Sequence, residues 1–286
     1  MIADFQIIYV LVLLITGIVV GFASGLLGVG GGFIMVPVQI WALTSIGIDP
    51  TIATRVALGT SLGVILPTAL SGCHGHACRG VMMWRPGIDM GLSGLLGAFL
   101  GGTIATHIPG DFLRKFFGLV VLASALLLLF SGRISLKGSG TPRDEFKENI
   151  SKYLLLGSIV GLVSGLSGIG GGVILVPAMV IAIGFTMHQA VGTSSIAIAI
   201  ISIGGILSYA LNGQGVIGLP PHSFGYINIL QWALLSGTSI PMAQAGVRFA
   251  HRLPAKKLTY IFTALMLCVG LLMIGVFGWL RLALNL

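Results

Sequence analysis

Two glycine-rich strings lie at matching places in this sequence, and their residues are candidates for ligand binding. They are 28–32 and 168–172, and each interrupts a long apolar run. Successive glycines break a helix, and irregular backbone at membrane depth is tolerated only where it is buried in protein or lines a cavity. Free N–H groups at such breaks can bind an anion, whereas close helix packing through small residues is the alternative. The candidate ligands are Gly28, Gly30, Gly31, Gly32, Gly168, Gly170, Gly171 and Gly172.

Hydroxyl side chains accompany both strings. The candidates are Ser24, Thr60, Ser61, Ser164, Thr193 and Ser194. A hydroxyl can donate to an oxyanion without the desolvation cost of a buried charge. It can equally donate to a carbonyl one turn earlier in its own helix, which would be a structural role. We predict substrate-binding hydroxyls and leave the structural reading open.

One string in the first half looks suited to metal chemistry. It contains Cys73, His74, His76 and Cys78 within six residues, a set that could bind a soft metal. The second half carries Leu207, Tyr209 and Leu211 in this register. Because the string has no counterpart, we predict no metal and no cofactor, and we retain His74 as a titratable residue near the pathway. A membrane metalloprotein or redox enzyme that uses the four residues is the alternative.

Charged residues are scarce inside the apolar segments. Arg55 begins the third segment, where it could attract an anion at the mouth of a pathway or extend to the lipid headgroups. Every Asp and Glu lies at a segment end or between the halves, so we expect no buried carboxylate relay of the kind that cation-coupled pumps use. No Walker motif is present, and we do not expect an enzyme.

The composition places these candidates in a membrane. Hydrophobic residues make up 56% of the 286 residues, charged residues make up 8%, and the mean hydropathy is +1.06. A soluble domain does not have this composition. The net charge of +8 comes from short connections between apolar runs, which indicates topology rather than nucleic-acid binding. We expect the lipid bilayer and a small anion as partners, and a homo-oligomer is compatible with the sequence.

The chain contains an internal repeat. Residues 21–37 and 161–177 are identical at 11 of 17 positions, and Ala-x-Gly-Thr-Ser recurs at 57–61 and 190–194. We therefore divide the chain into an N-terminal membrane repeat (1–132), a cytoplasmic linker (133–152) and a C-terminal membrane repeat (153–286). Each repeat has about five apolar segments. The predicted segments are 5–29, 33–47, 51–72, 88–107, 112–131, 153–169, 173–185, 188–211, 225–247 and 257–280.

The repeats are predicted to be inverted. The short second segment of each repeat either crosses the bilayer or re-enters it, and in both cases it returns the chain to its starting side. Each repeat then makes an odd number of net crossings. With this parity one face holds 11 Lys and Arg residues and the other holds 4, namely Arg55, Arg114, Lys115 and Arg281. Because cytoplasmic loops carry the excess, both termini should lie outside an all-α integral membrane protein.

These motifs resemble the sulfite exporter TauE/SafE family. The resemblance rests on the duplicated glycine string, on Ala-x-Gly-Thr-Ser in each third segment, and on His74 followed by Arg79-Gly80-Val81 and Trp84-Arg85. Membership implies a permease of a bacterial or archaeal inner membrane that moves sulfite, sulfoacetate or related anions outward. We accordingly predict a secondary transporter or uniporter that exports a small sulfur-containing anion. Uptake of a related anion of the thiosulfate or sulfate type is the alternative within the transporter class.

Overall fold

The computed structural model describes residues 2–134, 150–250, 252 and 255–274. The helices are α1 (Ile2–Leu27), α2 (Gly32–Ser45), α3 (Pro50–Ala77), α4 (Trp84–Ala105), α5 (Gly110–Ile134), α6 (Ile150–Ser167), α7 (Gly172–Ala178), α8 (Met187–Asn212), α9 (Ile229–Ala250) and α10 (Ala255–Ile274). A π-helix, Met179–Ile183, continues α7. Most of the predicted linker, 135–149, lies outside the described residues, and so does Arg281.

The helices confirm a predominantly α-helical protein suited to a membrane. Five of them, α1, α3, α4, α6 and α8, are long and apolar enough to cross a bilayer. Each predicted segment corresponds to a helix, with the π-helix completing the seventh, and three boundaries within the described residues differ by four or five residues. The fourth helix begins at Trp84 rather than at 88. The third helix continues to Ala77, so the cysteine–histidine string is helical. The ninth begins at Ile229, because a short antiparallel hairpin, β1 (Ser223–Phe224) with β2 (Ile227–Asn228), precedes it.

The third helix of each half begins with a side-chain cap. The Asp49 carboxylate accepts hydrogen bonds from the N–H groups of Thr51 and Ile52, at 2.9 and 3.2 Å, ahead of α3. Thr186 and Gln189 form a reciprocal capping box at the start of α8. These caps fix where α3 and α8 begin, and therefore where the Gly-Thr-Ser residues lie in each helix.

Small residues bring the two halves together. The first helix of each half packs against the fourth helix of the other, α1 with α9 and α4 with α6. A Cβ added to Gly94 or Gly97 of α4 would meet the backbone of α6, so these glycines permit close approach. Leu92, Leu96 and Leu100 of the same helix are exposed. A helix with small residues inward and leucines outward is suited to packing within lipid.

Loops gather on two faces of the molecule. The Arg55 face comprises loops 46–49, 106–109 and 213–228. Arg55 joins them, because its guanidinium donates to the Ile108 carbonyl at 3.1 Å and to the Tyr226 hydroxyl at 3.3 Å. The Met83 face comprises loops 78–83 and 184–186. Here the Met83 N–H donates to the Thr193 hydroxyl at 3.1 Å.

The first two helices begin and end at the same face. A cleft of about 400 Å³ on the Arg55 face is lined by Tyr9 of α1, Ile46 just after α2, and loop residues 220–222. Helices α1 and α2 therefore form a hairpin whose tip is the first glycine turn. The third helix then runs from the Arg55 face to the Met83 face, whereas α8 runs back from the Met83 face.

Candidate functional site

The two glycine turns adopt the same backbone conformation. Positive φ angles of 66°, 76° and 73° occur at Gly28, Gly30 and Gly31. The corresponding angles in the second turn are 66°, 83° and 83°, at Gly168, Gly170 and Gly171. Residues with a Cβ rarely adopt these angles, so glycine is required for the turn itself. The sequence repeat is thus a repeat of local structure.

The turns touch each other in the buried centre of the protein. A Cβ on Gly32 would lie 2.8 Å from the Ile169 carbonyl oxygen, and a Cβ on Gly172 would collide with the backbone of Val29. The Ile65 side chain, midway along α3, packs against Gly30 and also against Gly170. Both turns are buried. The structure therefore unites the two glycine strings at one place.

Several N–H groups of the turns have no acceptor. The Gly28 N–H donates to the Ser24 carbonyl, and the Gly168 N–H donates to the Ser164 carbonyl, both at 2.8 Å. Among the described residues, no hydrogen bond is donated by the N–H groups of Gly30, Gly31, Gly170 and Gly171. Buried N–H groups are almost always paired in folded proteins. Four unpaired donors at one buried centre suit an anion that accepts hydrogen bonds.

The serines of the two Gly-Thr-Ser motifs hold the opposite turns. The Ser61 hydroxyl donates to the Gly168 carbonyl at 2.6 Å, and the Ser194 hydroxyl donates to the Gly28 carbonyl at 2.6 Å. Each hydroxyl also lies 2.8 or 2.9 Å from a carbonyl of its own helix. Since a hydroxyl has one hydrogen, these serines position the turns.

The neighbouring threonines are acceptors. The Thr60 hydroxyl accepts the N–H of Asn228, the residue just before α9, at 2.9 Å. Thr193 accepts the N–H of Met83 in the matching place before α4. Within the described part of the chain, neither hydroxyl donates to an acceptor. Each threonine thus fixes the start of the fourth helix in the other half. Its hydroxyl hydrogen remains available to donate a hydrogen bond to a ligand.

The serines that precede the turns are both buried. Ser164 is fully buried, and its hydroxyl has no hydrogen-bond partner among the described residues. That hydroxyl lies 3.6 Å from where a Cβ of Gly171 would be, beside the unpaired N–H groups of the second turn. Its counterpart Ser24 is 3% exposed. The unpartnered hydroxyl of Ser164 therefore adds a donor to the glycine centre.

Arg55 lies among the loops of its own face. Its guanidinium is 5.9 Å from the centre of the Tyr226 ring, and its buried Nε has no hydrogen-bond partner in the described part of the chain. The Arg55 hydrogen bonds join α3 to loops 106–109 and 213–228. Arg55 therefore organises the loops of its face and retains one buried N–H donor there.

The four side chains of the cysteine–histidine string do not converge in the structure. His74 is exposed and its Nε2 is 3.9 Å from the Cys78 sulfur, whereas Cys73 and His76 are buried. Successive residues of a helix point in different directions, about 100° apart. No group of three His, Cys, Asp or Glu side chains suited to a metal occurs among the described residues. His74 does not join the glycine centre.

His76 is a residue that our sequence analysis did not select. Its Nε2 lies 3.1 Å from the Gly25 carbonyl, to which it donates. In the other half, the Tyr209 hydroxyl donates to the Gly165 carbonyl at 3.0 Å. Gly25 and Gly165 occupy the same place in the repeat, as do His76 and Tyr209. The register of the repeat, extended from Gly-Thr-Ser along the helix, could have identified this pair.

Comparisons with known proteins agree with the membrane setting. A family model described as Sulfite exporter TauE/SafE matches residues 13–273. The chain is 28% identical to a probable membrane transporter protein of Methanocaldococcus jannaschii, over 92% of this chain and 94% of the relative. It is 26% identical to one of Haemophilus influenzae, over 92% and 97%. A relative from Xylella fastidiosa is 34% identical over 68% of this chain and 72% of its own. No solved structure matches the chain significantly.

Proposed function

The chain belongs to the sulfite exporter TauE/SafE family and is a membrane transporter, and we propose that it exports a small sulfur-containing oxyanion such as sulfite. The observation that carries this proposal is the buried meeting point of the two glycine turns, with its four unpaired N–H groups and the unpartnered Ser164 hydroxyl. Neutral donors can bind an anion without holding it as tightly as a buried cation would. Release on the other side is then feasible.

Outward movement by this mechanism needs no coupling cation. Every carboxylate lies at a segment end or between the halves, and a cation site usually needs such groups. An inside-negative potential favours the exit of an anion by about 2.3 kcal/mol per charge per 100 mV. Export is therefore electrically downhill, which supports a uniporter rather than a pump.

Flux into proteoliposomes tests the transport proposal. We expect a valinomycin-set potassium diffusion potential to drive sulfite toward the positive compartment in the absence of sodium and pH gradients. The Gly171→Val variant, with a β-branched side chain at a φ of 83°, should abolish this flux. Flux that ignores the potential but follows a sodium or proton gradient would contradict the uniport mechanism.

We also propose that the repeats are inverted, with the Met83 face in the cytoplasm. The opposite directions of α3 and α8 support this arrangement, as does the excess of Lys and Arg predicted for the Met83 side. Single cysteines in a cysteine-free background test it. Ile217→Cys, at a position that is 92% exposed on the Arg55 face, should react with an impermeant maleimide added to intact cells. Gly80→Cys on the Met83 face should react only after the cells are opened, and labelling of Gly80→Cys from outside would disprove the orientation.

A further inference from the structure

Gln39 of α2 is a buried polar residue with no partner. Its side chain is fully buried, and neither Nε2 nor Oε1 has a hydrogen-bond partner among the described residues. Burial of an unpaired amide is costly, and each such group in a native protein calls for an explanation. The buried neighbours of Gln39 along α2 include Met35, Val36 and Leu43, which cannot form hydrogen bonds of this kind.

The position of Gln39 relates it to the glycine centre. Gln39 is seven residues beyond Gly32, which corresponds to about 10 Å along a helix. Because α2 ends at the Arg55 face, Gln39 lies between the glycine centre and that face. Helices α1, α3 and α10 pack against α2. The hydroxyls of Thr16 on α1 and Thr54 on α3 donate to carbonyls of their own helices, so they supply no donor to the Gln39 carbonyl oxygen.

The matching position of the second half is also unusual. The repeat places Met179 opposite Gln39, seven residues beyond Gly172. Met179 begins the π-helix, and its carbonyl accepts the N–H groups of Gly184 and Phe185. Short π-helical turns occur frequently at functional sites. The matching position is therefore unusual in both halves, as an unpaired amide at Gln39 and as the start of a π-helix at Met179. Only Gln39 carries a side-chain amide.

We propose that the Gln39 carboxamide binds the transported oxyanion in its protonated form, on the Arg55-face side of the glycine turns; this inference rests on the proposed transport function. The amide group of Gln39 can donate to an oxyanion oxygen, while Oε1 needs a donor from the ligand. A hydrogen oxyanion such as hydrogen sulfite provides both, because it carries acceptor oxygens and one proton. A fully ionised dianion leaves Oε1 unpaired.

The test replaces Gln39 with methionine, the residue at the matching position of the second half. In Gln39→Met the unpaired amide is removed at similar volume, so we expect the melting temperature of the detergent-purified protein to stay the same or rise. Sulfite counterflow at zero potential should fall at least ten-fold. In the wild type, counterflow should be faster at mildly acidic than at mildly alkaline pH, and this ratio should approach one in Gln39→Met. Met179→Gln is the matched control, which should lower the melting temperature because it buries a new amide.

The possible outcomes separate this inference from the proposed function. Absence of sulfite counterflow in the folded wild type would overturn both. Normal wild-type counterflow with an unchanged rate and pH ratio in Gln39→Met would overturn only the role of Gln39. A clear fall in the melting temperature of Gln39→Met would also overturn it, because the amide would then have a stabilising partner within the protein.

Discussion

The two halves of this transporter are nearly identical at their meeting point and differ away from it. Both glycine turns have the same φ angles, and each is held by a serine of the other half, Ser61 or Ser194. Outside the centre the halves differ. Gln39 of the first half corresponds to Met179 of the second half, which carries no amide. The shared residues build one buried meeting point, and the residues on its two sides differ chemically. Unlike approaches to this point can give different binding from the two sides of the membrane, while the electrochemical gradient sets the direction of net transport in a uniporter.

A second pair of positions shows that different side chains can perform the same structural task. His76 donates to the Gly25 carbonyl, and Tyr209 donates to the matching Gly165 carbonyl, at 3.1 and 3.0 Å. Both carbonyls belong to the last turn before a glycine break, where helical carbonyls lose their usual partners. The bond is common to both halves, although the side chain that donates it is a histidine in one half and a tyrosine in the other.

The largest effect is expected from variants that disturb the contact between the two glycine turns. Gly172→Ala places a Cβ against the backbone of Val29, and Gly32→Ala places one 2.8 Å from the Ile169 carbonyl oxygen. Overpacking typically costs about 1–3 kcal/mol. Because this cost would fall on the turns proposed to bind the anion, we expect transport to fall by about 5- to 150-fold, with the greater loss in Gly172→Ala. Sulfite flux into proteoliposomes measures the effect.

Gly47→Ala is the control for this comparison. Gly47 has a φ of 86°, but a Cβ there would meet nothing within 4 Å. The substitution should cost about 1–2 kcal/mol of stability through its left-handed backbone and leave transport intact. Normal flux in Gly172→Ala would show that close contact of the turns is not needed.

A smaller effect, equal in the two halves, is expected when the hydrogen bonds from Ser61 and Ser194 to the opposite turns are removed. Ser61→Ala and Ser194→Ala each remove one bond to a glycine carbonyl of the other half, and each should lower the free energy of unfolding by about 1 kcal/mol. Chemical unfolding in detergent measures this loss. Because the turns touch, the double variant should deviate from additivity by about 0.5 kcal/mol or more.

Ser202→Ala is the control for the serine variants. Ser202 lies on α8, is also fully buried, and donates only to the carbonyl of Ala199 in its own helix. Its replacement should cost less than either crossed serine. Unequal losses in Ser61→Ala and Ser194→Ala would mean that the halves do not share their centre equally.

The smallest expected effect concerns the matched bonds of His76 and Tyr209. Tyr209→Phe removes the bond to Gly165 and should cost about 0.5–1.5 kcal/mol of stability. His76→Gln keeps an N–H donor and should stay closer to the wild type than His76→Leu, which has none. Thermal unfolding of the three variants measures the differences. If His76→Leu were as stable as His76→Gln, the bond to Gly25 would be unimportant and the two positions would not be equivalent.

The sequence alone predicted the helical membrane class, the ten segments and the family. These features depend on composition and on short-range patterns, because lipid requires every backbone group in a span to be paired within a regular helix. The repeat of the glycine strings also indicated a shared function for the two turns. The end of α3 and the starts of α4 and α9 were misplaced by four or five residues. An apolar pattern does not show where α3 ends when glycines and histidines continue the helix.

The roles of individual polar residues required the tertiary structure. Ser61 and Ser194 read as anion donors in the sequence, but contacts across more than 100 residues assign their hydrogens to carbonyls of the opposite half. His74 and His76 differ by two positions, yet one is exposed and the other is buried against α1, because a helix rotates its side chains by about 100° per residue. Composition and repeats are local properties of the chain, whereas hydrogen-bond partners are set by how helices that are distant in sequence pack together.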